Sequence, residues 1–185
     1  MKLMRNLFIN ILCIVAFVQF ISCSKNDGGT GPKPDPEFPA STKFAVTLYS
    51  PKTSLSVNET FDVKVVLYNV IDLFGATVEI GYASSKVQMT GTTLGTAAFA
   101  EANVLTVSRI EPDSSRASYG VTYKAGTSSG FSGSGVMVTF HCKALAAGAD
   151  TLKINPTKLE LKKSDGNAIT NFSSFLKENL ALTIQ

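Results

Sequence analysis

Apolar and polar positions alternate with a period of two over most of the chain after Lys43. This period places successive side chains on opposite faces of a strand, so each strand offers one apolar face to a core. The pattern is most regular over residues 59–87, where a short connection, residues 69–74, separates two predicted strands. Their apolar positions are Phe61, Val63, Val65, Leu67, Ala76, Val78, Ile80 and Tyr82. A single hairpin is only marginally stable in water, so a second sheet must cover this apolar face.

The rest of the pattern predicts further short strands separated by turn residues. Residues 90–103 and 124–134 are rich in small and polar side chains and are predicted loops, and residues 172–179 are the one candidate helical turn. A succession of short strands without a long 3.6-residue period indicates an all-β sandwich. The remaining predicted strands are residues 44–49, 55–57, 87–89, 104–110, 117–123, 136–144, 151–154, 158–161 and 181–185.

The N-terminus has the organisation of an export signal. Lys2 and Arg5 precede an apolar run over residues 7–21, which is short for a membrane span. The run ends in Phe20-Ile21-Ser22-Cys23, which resembles the lipobox of bacterial lipoproteins. This resemblance implies that residues 1–22 are removed and that Cys23 carries lipid, which anchors the chain to a membrane. We therefore expect an outer-membrane lipoprotein of a bacterial envelope, periplasmic or surface-facing. The alternatives are an ordinary signal peptide with an incidental cysteine and an uncleaved anchor.

A tether is predicted between Cys23 and the domain. Residues 24–42 begin with glycines and continue with Pro32, Pro34, Pro36 and Pro39, without apolar periodicity. Such a composition favours an extended, unpacked chain, and the proline spacing also permits recognition by a proline-binding partner. The prediction is therefore three segments: a signal peptide, residues 1–22; a lipidated tether, residues 23–42; and one β-sandwich domain, residues 43–185.

Composition changes the picture in two ways. The formal net charge of the 185-residue chain is +3, and loss of Lys2 and Arg5 lowers it by two, to +1. No cluster of basic residues accompanies this charge, so no nucleic-acid partner is expected. Cys142 is the one cysteine left after processing and lipidation, which excludes an intramolecular disulfide and suggests a buried thiol.

Catalytic and metal-binding patterns are weak. Residues 126–130, GTSSG, match a nucleophile elbow literally but lie in a predicted loop, and the single histidine, His141, falls within a predicted strand. Residues 165–167, DGN, resemble only part of a calcium loop. We expect no cofactor, no metal and no enzymatic activity.

A family resemblance emerges from three segments. Residues 61–65, FDVKV, residues 73–82, LFGATVEIGY, and residues 135–144, GVMVTFHCKA, together resemble a cohesin domain. The resemblance implies a nine-stranded jelly-roll-like sandwich that docks a dockerin-like protein partner through the outward face of one sheet. Carried over by position, the outward residues of the matching strands are Thr77, Glu79, Thr139 and His141.

The expected function is thus a non-enzymatic, membrane-anchored docking module for a protein partner. The alternative is a carbohydrate-binding lipoprotein of a polysaccharide-utilisation system. Sugar rings are usually bound by exposed aromatic platforms. This chain has no tryptophan, and Tyr82, Tyr119 and Tyr123 fall on predicted core-facing positions, so few aromatic side chains remain for a platform.

Overall fold

A computed structural model of the chain describes residues 38–95, 98–99, 103–124, 126, 129–170 and 179–185, all within one compact unit. No helix among these residues has the length and apolarity needed to cross a membrane. Two 3-10 turns, Pro112–Ser114 and Pro156–Lys158, interrupt the strands. The strands within the described ranges are β1 Ala45–Tyr49, β2 Ser54–Leu55, β3 Thr60–Gly81, β4 Val87–Leu94, β5 Val104–Glu111, β6 Arg116–Tyr123, β7 Phe131–Ala144, β8 Gly148–Ile154, β9 Glu160–Lys163 and β10 Asn179–Ile184.

Strand β3 is the element that joins the two layers of the sandwich. The two strands predicted on either side of residues 69–74 form one continuous strand, because the chain bends there instead of reversing. Asn69 and Asp72 have φ values of +50° and +56°, which asparagine and aspartate tolerate better than most residues. The predicted connection is therefore a bend within β3, and each half of the strand belongs to a different layer.

Layer 1 contains the first half of β3, with β1 on one side and β7 on the other. Strand β4 extends this layer along the free side of β7. Layer 2 contains the second half of β3, which pairs with β6 on one side and with β9 and the end of β8 on the other. Strand β5 pairs with β6 at one end of layer 2, and β10 and β2 continue it beyond β8. The all-β sandwich is therefore confirmed.

The space between the layers is filled by the predicted alternating apolar residues. Val63, Val65 and Phe140 from layer 1 and Val78 and Ile80 from layer 2 belong to one fully buried cluster. Fully burying such a side chain stabilises the fold by about 1.5–3 kcal/mol. Tyr82 and Tyr119 also face this core, as predicted, and Tyr123 packs partly buried against it.

The outer side of layer 1 carries a second, smaller apolar cluster. The ring of Phe38 lies over Ala45, Val66, Tyr68 and Val136, and it is 8% exposed. Asn69 Nδ2 donates hydrogen bonds to the carbonyl oxygens of Ser41 and Lys43, at 2.9 and 3.0 Å. Among the described residues, packing therefore extends back at least to Phe38, on the N-terminal side of the expected boundary at Lys43.

The segment after β4 is more ordered than its composition predicted. Strand β4 continues to Leu94, where residues 90–103 were expected to form a loop. Ala98 and Phe99 are buried in the main core, because the Phe99 ring lies against those of Tyr123 and Phe131. Strand β7 similarly begins at Phe131, inside the predicted loop of residues 124–134.

Several expectations concern residues outside the described ranges. These are the signal peptide of residues 1–22, the lipidated Cys23, most of the tether and nearly all of the candidate helical turn of residues 172–179. They stay predictions. Asn179, at the end of that candidate turn, is the first residue of β10.

Candidate functional site

The outer face of layer 2 is an open surface built from four adjacent strands, β5, β6, β3 and β9. The pairing registers place its outward residues in three rows that cross the strands. The first row contains Leu105, Thr122, Gly75 and Lys162. The second row contains Val107, Gly120, Thr77 and Glu160, and the third contains Arg109, Ser118 and Glu79. We call these eleven residues the layer-2 face.

Two large aliphatic side chains on this face project into solvent. Leu105 is 60% exposed and Val107 is 68% exposed, whereas most large apolar side chains of the domain are buried. Both residues belong to β5, at the edge of the layer, where a neighbouring strand is present on one side only. Adjacent exposed apolar side chains of this kind mark binding surfaces more often than isolated ones do.

Two glycines remove side chains from the middle of the face. A Cβ atom at Gly120 would lie 3.1 Å from Val107 Cγ1 and 3.5 Å from Thr77 Cγ2. A Cβ atom at Gly75 would lie 3.3 Å from Thr122 Oγ1. Each glycine therefore leaves a depression whose walls are the side chains of its neighbours.

Two shallow grooves flank Val107 as a result. The larger, of about 500 Å³, is bounded by Leu105 and Val107 on one side and by Lys162 on the other, with Gly75 and Gly120 in its floor. The smaller, of about 350 Å³, extends from Val107 towards Arg109, Glu79 and Lys158. Val107 forms the ridge between the two grooves.

Charges on the face are distributed unevenly. Arg109 Nε pairs with Glu111 Oε1 at 2.7 Å, and Glu79 Oε1 accepts a hydrogen bond from Asn155 Nδ2 at 2.8 Å. Within the part of the chain that the structure describes, neither Glu160 nor Lys162 forms an ion pair. In the described part of the chain, the face is therefore aliphatic at Leu105 and Val107 on β5 and carries unpaired charges of both signs along β9.

The four predicted binding residues do not form one surface. Thr77 and Glu79 lie on the layer-2 face, as expected from their outward positions on β3. Thr139 and His141 lie on β7, which belongs to layer 1 and faces the opposite side of the sandwich. The prediction that these four residues share one face is therefore wrong. Alternation identifies the outward positions on a strand, but strand pairing decides which layer they belong to.

His141 takes part in a hydrogen-bonded chain on the outer side of layer 1. Its Nδ1 lies 2.8 Å from Asp62 Oδ1, and its Nε2 lies 2.7 Å from Thr93 Oγ1. The tautomer with hydrogen on Nδ1 satisfies both contacts, because Nε2 then accepts from the threonine hydroxyl. The three side chains occupy neighbouring strands, and those of His141 and Asp62 are about half exposed. This arrangement fixes the orientation of the imidazole on an open sheet surface.

Among the described residues, Cys142 and the metal-ligating side chains offer no further site. The Cys142 thiol is buried. This burial is the main cause, and the nearby Asp62 charge the smaller cause, of a pKa of Cys142 that is raised to about 12. A thiol with such a pKa is unreactive near neutral pH. No group of three or more His, Cys, Asp or Glu side chains in the described ranges is arranged to bind a metal ion.

The residues that sequence reasoning missed are Leu105, Val107, Gly120 and Lys162. The sequence contained a signal for two of them, because the predicted strand of residues 104–110 begins with apolar residues on both of its faces. Val104 faces the core, whereas Leu105 and Val107 lie on the opposite face and are exposed to solvent. Gly120 and Lys162 could not be identified, because their importance comes from neighbours on other strands.

Comparison with known proteins agrees with this architecture. A family model for the cohesin domain matches residues 44–178. A search of curated protein sequences found no match. Among solved structures, a type II cohesin domain from the cellulosome of Acetivibrio cellulolyticus has a TM-score of 0.65 at 14% identity, over 75% of this chain and 94% of that chain.

Two further solved structures extend this comparison. A type II cohesin–X-dockerin complex from Acetivibrio cellulolyticus gives a TM-score of 0.66 at 16% identity, over 77% of this chain and all of that chain. A non-cellulosomal cohesin from the archaeon Archaeoglobus fulgidus gives 0.59 at 14% identity, over 77% and 91% of the two chains.

These matches and the two-layer architecture define the class of protein as an all-β sandwich module of the jelly-roll type. The family model spans well over half of the chain. The chain belongs to the cohesin-domain family.

Proposed function

We propose that this chain is a non-enzymatic docking module that binds a dockerin-like protein through the layer-2 face. The observation that carries the proposal is the exposure of Leu105 and Val107 beside a groove floored by glycine. Protein interfaces concentrate their binding energy in a few apolar anchors that are surrounded by polar side chains, and this face has that composition. Solved relatives that include cohesins in complex with dockerins give the proposal further support.

Polysaccharide binding receives less support from this surface. The outward residues of the layer-2 face include no aromatic side chain. The rings of Tyr68, Tyr82 and Tyr119 are buried, so they cannot stack on a sugar ring. Polysaccharide binding is therefore the alternative result that would contradict protein docking in the binding experiment.

The test measures binding of the whole mature chain to purified dockerin modules encoded in the same genome, by isothermal titration calorimetry. We expect at least one dockerin to bind with a dissociation constant of about 1 μM or tighter. Val107→Asp should weaken this binding by at least about 100-fold, because a buried unpaired carboxylate would replace an apolar anchor.

Two matched variants serve as controls. Ile71→Asp changes another aliphatic side chain that is 72% exposed but lies at the bend of β3, outside the grooves. Thr139→Asp places the same charge on the outer side of layer 1. Both should bind the dockerin as the unchanged chain does. The proposal is wrong if no dockerin binds, if cellulose or xylan binds instead, or if Thr139→Asp weakens binding as much as Val107→Asp.

We also propose that the module is anchored to the outer membrane through lipid on Cys23. The support is the charged and apolar N-terminal segment that ends in Phe20-Ile21-Ser22-Cys23. Several acyl chains on one residue give the stable attachment that a single chain does not. Cells fed an alkyne-labelled fatty acid should incorporate it into the wild-type chain and not into Cys23→Ser. Unchanged labelling or membrane fractionation of Cys23→Ser would contradict the anchor.

A further inference from the structure

Strand β5 has a long free edge, which pairs with no other strand in the described ranges. It runs in unbroken register with β6, without a bulge, a proline or a lysine, and its two charged residues pair with each other. Bulges, prolines and lysines are devices by which natural sheets keep their edges from pairing with other chains. By contrast, β4 has a register shift after Met89, and β2 is only two residues long.

The middle of β5 is exposed on both of its sides. Leu105 and Val107 project outward from the layer-2 face. Thr106 and Ser108 lie on the other side of the strand, the side on which Val104 faces the core, and they are exposed as well. Layer 1 therefore does not cover this part of β5. A further strand placed beside it would bury side chains on both sides at once.

The backbone groups at the free edge can be assigned from one hydrogen bond. Lys124 N–H donates to Asn103 O at 2.8 Å, and these two residues directly precede the first register pair of β5 and β6. Hydrogen-bonded and non-hydrogen-bonded pairs alternate along an antiparallel ladder. Val107 therefore hydrogen-bonds to β6, whereas the N–H and C=O groups of Thr106 and Ser108 point to the free edge.

The sequence of β5 is complementary to itself in the antiparallel direction. When residues 104–110, VLTVSRI, face a second copy centred at Val107, aliphatic residues oppose aliphatic residues and hydroxyl side chains oppose hydroxyl side chains. The opposed pairs are Val107–Val107, Thr106–Ser108, Val104–Ile110 and Leu105–Arg109. The aliphatic stem of arginine covers apolar neighbours, so the last pair is also compatible. Cross-strand pairs of these kinds are stabilising, and no like charges are opposed.

Other registers fit less well. A pairing centred at Ser108 sets the aliphatic Leu105 against the carboxylate of Glu111. A pairing centred at Thr106 leaves Ile110 beyond the end of the partner's β5. The register centred at Val107 uses the whole strand and supplies about eight backbone hydrogen bonds from the two free edges.

We propose that two copies of this chain associate through their β5 edges, antiparallel and centred at Val107, so that their two layer-2 sheets become one continuous sheet. Val107 and its copy form a non-hydrogen-bonded pair, in which opposed side chains come closest. This self-association goes beyond the proposed docking function and requires no dockerin. It explains why a regular strand with exposed residues on both sides has an unprotected edge.

The first test measures self-association of the mature chain, residues 23–185 with Cys23→Ser in every sample, by sedimentation equilibrium. We expect a monomer–dimer equilibrium with a dissociation constant of about 10–100 μM, because one strand pair makes a small interface. Ser108→Pro removes an N–H group at the free edge and no hydrogen bond to β6, so it should weaken the dimer at least about tenfold. Ser108→Ala keeps this N–H group and should dimerise as the unchanged chain does.

The second test uses cysteine substitutions and remains informative if Ser108→Pro fails to fold. In Val107→Cys two thiols lie directly opposite each other, so oxidised glutathione should produce a disulfide-linked dimer. Leu105→Cys and Arg109→Cys are the controls: each alone should cross-link at least about tenfold more slowly, because neither residue opposes its own copy. A mixture of these two controls should cross-link, because Leu105 opposes Arg109. The native Cys142 thiol is buried.

The outcomes separate self-association from docking. A chain that stays monomeric up to about 1 mM overturns the proposal, because even weak specific interfaces are populated at that concentration. Equal cross-linking of Val107→Cys and Leu105→Cys, or undiminished association of folded Ser108→Pro, also overturns it. Ser108 lies on the side of β5 away from the layer-2 face, so Ser108→Pro should keep any dockerin binding. If no dockerin binds and Val107→Cys still cross-links selectively, the proposed function fails and self-association stands.

Discussion

The ring of Phe38 meets the ring of Tyr68 edge-on, with centroids 5.6 Å apart and an interplanar angle of 81°. This contact covers apolar side chains on the outer side of layer 1, namely Ala45, Val66 and Val136. Edge-to-face aromatic pairs contribute about 0.5–1.5 kcal/mol beyond the area they bury. A residue from the end of the predicted tether is therefore part of the folded domain.

Replacing Phe38 should test this contact directly. We expect Phe38→Ala to lower the free energy of unfolding by about 2–3 kcal/mol, because it exposes the cluster beneath the ring. The measurement is urea denaturation of the mature chain. Pro39→Ala, at the next residue and exposed, is the control and should change stability by less than about 0.5 kcal/mol. Equal stability of the two variants would contradict the packing of Phe38.

Asn69 combines a left-handed backbone with two hydrogen bonds that attach residues 41–43 to the bend of β3. Asn69→Gly keeps this backbone and removes the side-chain donor, which should cost about 1–2 kcal/mol. Asn69→Ala also introduces strain at positive φ, worth roughly 1 kcal/mol more. The Asn69→Ala variant should therefore be less stable than the Asn69→Gly variant, and urea denaturation of both variants measures this order of stability. The reverse order would contradict the left-handed conformation.

Asp72 joins the bend of β3 to the loop before β7 and to the turn after β9. The hydroxyl of Ser164 and the backbone N–H of Gly130 donate to its carboxylate, and together they hold the pKa of Asp72 below its usual value of 3.8. A carboxyl group whose pKa is lower in the folded than in the unfolded chain stabilises the fold at pH values above its unfolded-state pKa. This stabilisation is lost as the pH falls through the folded-state pKa.

Asp72→Asn should therefore reduce stability at neutral pH, and the difference from the unchanged chain should shrink below about pH 4. Asparagine also tolerates the positive φ at this position, so the backbone is preserved. Denaturation at a series of pH values measures the difference. Ser164→Ala removes the main hydrogen-bond donor to Asp72, so the stability of this variant should also fall less steeply as the pH is lowered. Parallel pH profiles for all three chains would contradict the linkage.

Cys142 should resist alkylation in the folded chain. Its thiol is buried and its pKa is raised to about 12, so the reactive thiolate is almost absent at pH 8. Mass spectrometry of the peptide that contains Cys142 should show slow labelling by iodoacetamide in buffer and rapid labelling in guanidinium. Equal labelling rates in the two solvents would show that the thiol is accessible in the native state.

The local pattern of the sequence was sufficient to predict most of the strands and many of their core-facing residues. Residues 136–144 alternate clearly, and Phe140 and Cys142 face the core as expected. The bend of β3 was not predictable, because polar residues at 69 and 72 are equally consistent with a turn between separate strands. Contacts with residues on other segments, among them Ser41, Ser132 and Ser164, stabilise the bend.

The candidate site was predictable only in part. Thr77 and Glu79 were identified through the family resemblance, and the structure places them on the layer-2 face. Val107 and Gly120 become neighbours only when β5 pairs with β6, and Gly75 and Lys162 only when β3 pairs with β9. Gly75 and Lys162 are far apart in the chain, and Val107 and Gly120 face each other only at the register that β5 and β6 adopt across their turn.

The all-β class and the alternation of core and surface positions follow from local sequence, because a period of two is a property of each strand alone. The resemblance to cohesins is likewise visible in the sequence. Which layer each outward residue belongs to depends on strand pairing, which places Thr77 and Thr139 on opposite sides of the sandwich and Gly75 near Gly120. A strand's faces are set by its own residues, whereas a binding surface depends on which strands hydrogen-bond side by side.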